Sequence, residues 1–66
     1  MQIRVNGEPK EIADGATLAD LIALLQLADR RIAVEVNQEL APRSTFQSHR
    51  LQPDDRVEIV RAIGGG

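Results

Sequence analysis

The dipeptide Asn6-Gly7 narrows the folds open to this chain more than any other feature. Before it, Met1, Ile3 and Val5 alternate with Gln2 and Arg4, the period-two pattern of a strand with one buried face. Asn-Gly after such a run is the strongest short hairpin signal, because both central residues of a type I′ turn need positive φ. A two-residue loop sets the register: Val5 opposite Glu8, Ile3 opposite Lys10 and Met1 opposite Ile12. Ile12 then faces the core, and Lys10 covers it with its stem while its amine reaches water. The return strand is expected from Glu8 to about Ala13. Pro9 has no N–H for a ladder, so this strand belongs at a sheet edge.

Asp14-Gly15 reads as a turn. Thr17 is a good helix N-cap, and Asp20 three residues on resembles a capping box with Asp in place of Glu. Leu18, Leu21, Ile22 and Leu25 fall at i, i+3, i+4 and i+7, one apolar helical face; Leu24 and Leu27 widen or extend it. The spacing predicts a helix ending near Gln26 or Leu27. Ile32, Val34 and Val36 alternate as a third strand, and Asn37-Gln38 turns the chain, since Asn tolerates the left-handed region. Glu39-Leu40-Ala41 is a short fourth strand stopped by Pro42. Ser44 caps a brief helical turn, with Gln47 three residues on. Phe46 and Leu51 plug the bottom of the core. Pro53-Asp54-Asp55 is a turn in which Asp54 accepts positive φ, and Arg56 to Arg61 is the last strand, with Val57 and Ile59 inward. A helix across one face of a mixed sheet packs these elements economically.

Sixty-six residues make one domain of modest stability, on the order of 3–5 kcal/mol. Without cysteine there is no disulfide and no thiolate site, which fits a reducing cytosol. No apolar run approaches the roughly 20 residues of a membrane span, so no membrane partner is expected. The net charge of −2 is interspersed and Phe46 is the lone aromatic, which argues against nucleic acid. His49 stands alone and reads as a surface residue, not a metal ligand. Asp54-Asp55 reads as a pair of solvated turn formers. No serine or threonine has a histidine at triad spacing, and nothing resembles an enzyme.

What remains is the closing Gly64-Gly65-Gly66. Taken alone, the run reads about equally as a working terminus, a frayed end or a leftover linker. As a working terminus it is a slim peptide with nothing beyond Cα to clash in a narrow channel, ending in an uncrowded carboxylate. A carboxylate is a poor acyl donor at neutral pH, because its charge repels nucleophiles and oxide leaves badly. Joined to AMP it becomes a mixed anhydride with a good leaving group. Sulfur attack then yields a thiocarboxylate, and amine attack a protein conjugate.

At this point the chain resembles the ThiS family of sulfur carriers of thiamine biosynthesis, over Met1 to Gly66. The resemblance is carried by Met1-Gln2-Ile3 with Val5-Asn6-Gly7-Glu8, and by Gly15 with Thr17-Leu18 and Leu21. It continues through Ala33-Val34-Glu35-Val36-Asn37, Pro42-Arg43, Asp55 with Val57-Glu58-Ile59-Val60, and the closing glycines. One departure is Asp54, where the family usually has Gly. The resemblance implies an α+β, ubiquitin-like β-grasp fold: a mixed sheet of four to five strands in the order 2-1-5-3-4, with one helix packed across it. The first and last strands are parallel at its centre. It implies a β-grasp domain over residues 1–61 and a flexible Gly-rich tail over 62–66.

The resemblance also implies a cytoplasmic carrier that is not an enzyme and binds no cofactor itself. A ThiF-like enzyme using ATP and magnesium adenylates the carboxylate of Gly66. A cysteine desulfurase relay or another donor supplies sulfur, and the thiocarboxylate goes to thiazole synthase, ThiG. Gly65 and Gly64 are then required for activation. The rivals are a MoaD-like carrier for molybdopterin synthesis, a ubiquitin-like protein modifier, and a binding module with an incidental tail. A tail alone cannot supply specificity, so part of the folded surface must dock, and a standard interface takes about 800 Å² from each partner. Val60 and Ile63 are expected on the outward side beside the tail, with Arg61 as a charged contact.

Overall fold

The hairpin follows from its turn chemistry. Strand β1 (Gln2–Val5) pairs antiparallel with β2 (Glu8–Glu11) in the expected register, Val5 opposite Glu8 and Ile3 opposite Lys10. Asn6 and Gly7 hold φ of 50° and 84° between them. The return strand is shorter than expected, ending at Glu11. One further pair still closes beyond it: the Met1 amine donates to the Ile12 carbonyl at 2.7 Å, and the Ile12 N–H to the Met1 carbonyl at 2.9 Å. Alternation along the ladder then turns the nitrogen of Pro9 toward the free edge, where no N–H is needed.

These observations come from a computed structural model in which residues 1–61 are described. The expected tail, residues 62–66 with Ile63, Gly64, Gly65 and Gly66, lies outside them.

Helix α1 (Leu18–Leu24) opens with the expected capping box: Asp20 N–H donates to Thr17 Oγ1 and Thr17 N–H to Asp20 Oδ2. The other first-turn amides are also taken, Leu18 N–H by the His49 carbonyl and Ala19 N–H by that of Phe46. No donor is left there to receive an anion. The helix stops earlier than the apolar spacing suggests. Gln26 takes φ of 61°, its N–H bonds Ala23, and Leu27 N–H bonds Ile22, the two bonds of a Schellman ending. Leu27 therefore reaches the core from beyond the helix. Leu24 does not widen the buried face and is 57% exposed. At roughly 100° per residue it lies well off the stripe of Leu18, Leu21 and Ile22.

Strand β3 (Ile32–Val36) turns through Asn37 and Gln38, at φ of 53° and 70°, into β4 (Glu39–Ala41). Pro42 then leads into a 3₁₀ turn, Arg43–Thr45. Ser44 lies inside this turn rather than capping it, and no side chain caps its start. Arg43 instead ties the turn to the connection after α1, donating to the carbonyls of Ala28 and Arg30. Strand β5 (Arg56–Arg61) completes the sheet, in the order β2-β1-β5-β3-β4, with β1 and β5 parallel. This is the expected β-grasp arrangement.

Leu18, Leu21 and Ile22 pack onto Ile3, Val34, Val36 and Val57 from the sheet, and Phe46 and Leu51 close the bottom. Val5, Leu25 and Ile59 join at the margin, half-buried. His49 is half-buried, not a plain surface residue, and its carbonyl serves the helix start. Asp54 takes φ of 69°, the positive φ expected of it in this turn. Asp55 is the larger correction. It is buried, not solvated, and accepts from Asn37 Nδ2 at 2.9 Å and Gln52 N–H at 2.8 Å. A buried carboxylate in a turn is tolerable because those donors satisfy it.

Candidate functional site

The site is the end of β5, the strand that leads toward the closing glycines. Its start is held on both sides: β1 pairs through Arg4 with Arg56 and Val5 with Val57, and β3 pairs from Val36 with Val57 to Ile32 with Arg61. On the β1 side the ladder stops at Val57, because β1 turns away at Asn6. The next amide on that side, Ile59 N–H, is taken by the side chain of Asn6, whose Oδ1 lies 2.8 Å away. The other turn asparagine acts at the start of the strand, where Asn37 Oδ1 accepts from Arg56 N–H at 3.0 Å. Each hairpin thus donates one asparagine to β5.

Pleating sends the residues near the exit to opposite faces. Val60 points to the open face, 65% exposed, beside Ala33 in the neighbouring register. Leu40 of β4 is 68% exposed, and its register partner Glu35 puts it diagonally across from Ala33. Val60, Ala33 and Leu40 make an apolar band on the open face. Below it, Glu35 and Glu58 stand opposite one another, and Arg4 and Arg56 do the same. Among the described residues none of these four enters an ion pair.

Arg61 belongs to the other face. It lines an open groove of about 540 Å³ with Val5, Lys10, Leu25, Leu27 and Ile59, between the hairpin, the end of α1 and β5. Of the expected docking residues, Val60 and Arg61 lie on opposite faces of the sheet. Ile63 and the three glycines, Gly64, Gly65 and Gly66, lie outside the described residues. Leu40 was not anticipated, because only the strand order brings β4 to within one strand of β5. The side-chain reach of Asn6 was also missed, since Asn-Gly already had a sufficient local reason in the turn.

Among the described residues no group of His, Cys, Asp and Glu is placed to hold a metal. Among the same residues no helix is long and apolar enough to cross a membrane.

Comparisons with known proteins place this geometry. The model of the ThiS family matches residues 3–66. The chain is 42% identical over its 66 residues to a thiazole synthase of Magnetococcus marinus and spans 20% of that relative's length. It is 30% identical over 66 residues to the sulfur carrier protein ThiS of Escherichia coli, covering all of both chains. The crystal structure of thiamine biosynthesis protein ThiS from Geobacter metallireducens superposes with a TM-score of 0.85 at 30% identity, covering 100% of each chain.

Proposed function

The chain belongs to the ThiS family, and we propose from that premise that it is a sulfur carrier of thiamine biosynthesis whose working group is the carboxylate of Gly66. The observation that carries this reading is the match itself, which runs through Gly66 and covers the whole of a sulfur carrier of the same length. A ThiF-like enzyme binds ATP and magnesium. A Gly66 oxygen attacks the α-phosphorus and pyrophosphate leaves, giving the acyl adenylate. Hydrosulfide, or its equivalent from a cysteine desulfurase relay or another donor, attacks the acyl carbon. AMP departs with the C–O electron pair and a thiocarboxylate remains. Thiazole synthase consumes that sulfur and the carrier regains its carboxylate. The chain is acted upon at each step and needs no catalytic group of its own.

The thiamine branch is preferred over the molybdopterin one because the relatives bear the names of a sulfur carrier ThiS and a thiazole synthase. A thiazole synthase that carries this stretch within its own chain also supports that enzyme as a partner. Covalent linkage raises the effective concentration of two modules that must meet. The open face with Val60 suits one docking event and the groove with Arg61 another.

Arg61 to Gly66, fully extended, spans about 20 Å, enough to carry the carboxylate from the domain surface into a buried adenylation site. Gly65 and Gly64 act by steric fit, since a side chain would meet channel walls or shield the acyl carbon. Deleting Gly66, or changing Gly65→Val, is expected to leave the melting temperature nearly unchanged and abolish ATP-dependent activation. Intact mass after incubation with activating enzyme, ATP and sulfide reads the exchange of one terminal oxygen for sulfur. Sulfur gained by the Gly66-deleted chain would overturn the carrier reading.

A further inference from the structure

We infer that Asn6 is a positioning residue for the activation of the terminal carboxylate: its side chain stands in for the missing continuation of β1 and holds the end of β5. The inference rests on the carrier reading above and adds a residue remote from Gly66 to it. Strand β1 ends at Val5, so β5 has no strand partner on that side from Glu58 to Arg61, and Ile59 N–H would face solvent unpaired. Asn6 Oδ1 accepts that hydrogen at 2.8 Å, across 53 residues of sequence. Asn6 does this from a turn position at φ of 50°, so the residue serves two separate demands. The backbone demand is for a residue that accepts positive φ, which Gly, Asn and Asp all meet. The side-chain demand is for an acceptor of the right reach, which Asn and Asp meet and Gly does not.

The consequence lies in the direction from which residues 62–66 depart. With Asn6 in place β5 is bonded on both sides as far as Ile59, and on the β3 side to Arg61. Without it, the last four residues of the strand, Glu58 to Arg61, hang from β3 alone. An enzyme that must thread the carboxylate into a confined site would then have to order the strand end at the moment of docking. That cost falls on binding and not on the chemistry once the carboxylate is seated.

The two demands separate by mutation. Asn6→Gly keeps the turn and removes the acceptor; Asn6→Asp keeps both. Adenylation is measured by ATP–pyrophosphate exchange with a ThiF-like enzyme, well below the melting temperature of all variants, together with hydrogen exchange of the Ile59 amide. For Asn6→Gly the Ile59 amide is expected to lose protection and KM for the carrier to rise about fivefold. That factor corresponds to one net hydrogen bond of about 1 kcal/mol. The value of kcat is expected to stay within about twofold, and Asn6→Asp to behave as the parent. A purely structural asparagine would lower the melting temperature and leave KM alone. An unchanged KM in Asn6→Gly overturns the inference, and so does an Asn6→Asp variant as impaired as Asn6→Gly. Deletion of Gly66 runs alongside: if it abolishes exchange while Asn6→Gly does not move KM, the carrier reading stands and this inference alone falls.

Discussion

The two hairpin turns solve one local problem and serve different ends of the same strand. Asn6-Gly7 and Asn37-Gln38 each place two consecutive residues at positive φ. Each asparagine then reaches across to a β5 amide, Asn6 to Ile59 and Asn37 to Arg56. The difference lies in what stands behind them. Asn37 is braced by the buried carboxylate of Asp55, so it belongs to a network at the bottom of the sheet. Asn6 acts alone, near the exit of the chain. A hydrogen bond inside a satisfied network anchored on a buried carboxylate supports stability, whereas a single bond at a strand end governs how far the strand stays formed.

The most damaging break in this contrast is Asp55→Ala. It leaves Asn37 Nδ2 and Gln52 N–H without their acceptor and is expected to cost about 3 kcal/mol, most of the stability of so small a domain. Urea unfolding measures it, and a loss under about 1 kcal/mol would show that the network does not brace the turn. Next comes Asn37→Gly, which keeps the turn backbone but removes two side-chain bonds, at an expected cost of about 2 kcal/mol. Its carrier KM in adenylation is expected to match the parent, the opposite of Asn6→Gly. Equal effects of the two variants on KM would erase the distinction between the turns.

The backbones of the turns can be exchanged more gently. Gly7→Ala meets no atom within 4 Å, so only its φ of 84° opposes the change, with a loss of about 1 kcal/mol. Gln38→Gly relieves a side chain held at φ of 70° and is expected to stabilise by about 0.5 kcal/mol, the relief exceeding the added unfolded-state entropy. Thermal melts of the pair should move in opposite directions. The smallest effect lies at the far end of β1 from Asn6. There the Met1 ammonium sits 3.0 Å from Asp14, and its pKa is raised above 8.0, chiefly by the hydrogen bond to that carboxylate. A raised amine pKa gives stability that is complete below pH 8 and fades as pH climbs through the folded value. A slight fall in melting temperature above pH 8, absent in Asp14→Asn, is the expected outcome.

Much of this fold is legible from neighbours in the chain. The register of the first hairpin, the Thr17–Asp20 capping box, the buried stripe of Leu18, Leu21 and Ile22, and the positive φ of Asp54 all follow from local chemistry. Each is a preference of a few consecutive residues, so the sequence by itself determines it. The strand order became expected only through family resemblance, because nothing in β5 says that it inserts between β1 and β3. Three features needed the assembled sheet. Asp55 is buried because Asn37 and Gln52 converge on it. Val60 and Arg61 part company because pleating and the helix assign them to opposite faces. Asn6 meets Ile59 because a parallel pairing brings residues 53 apart into contact. Such contacts follow from closure of the whole chain, whose cost is met by the shared core and not by the residues that happen to meet.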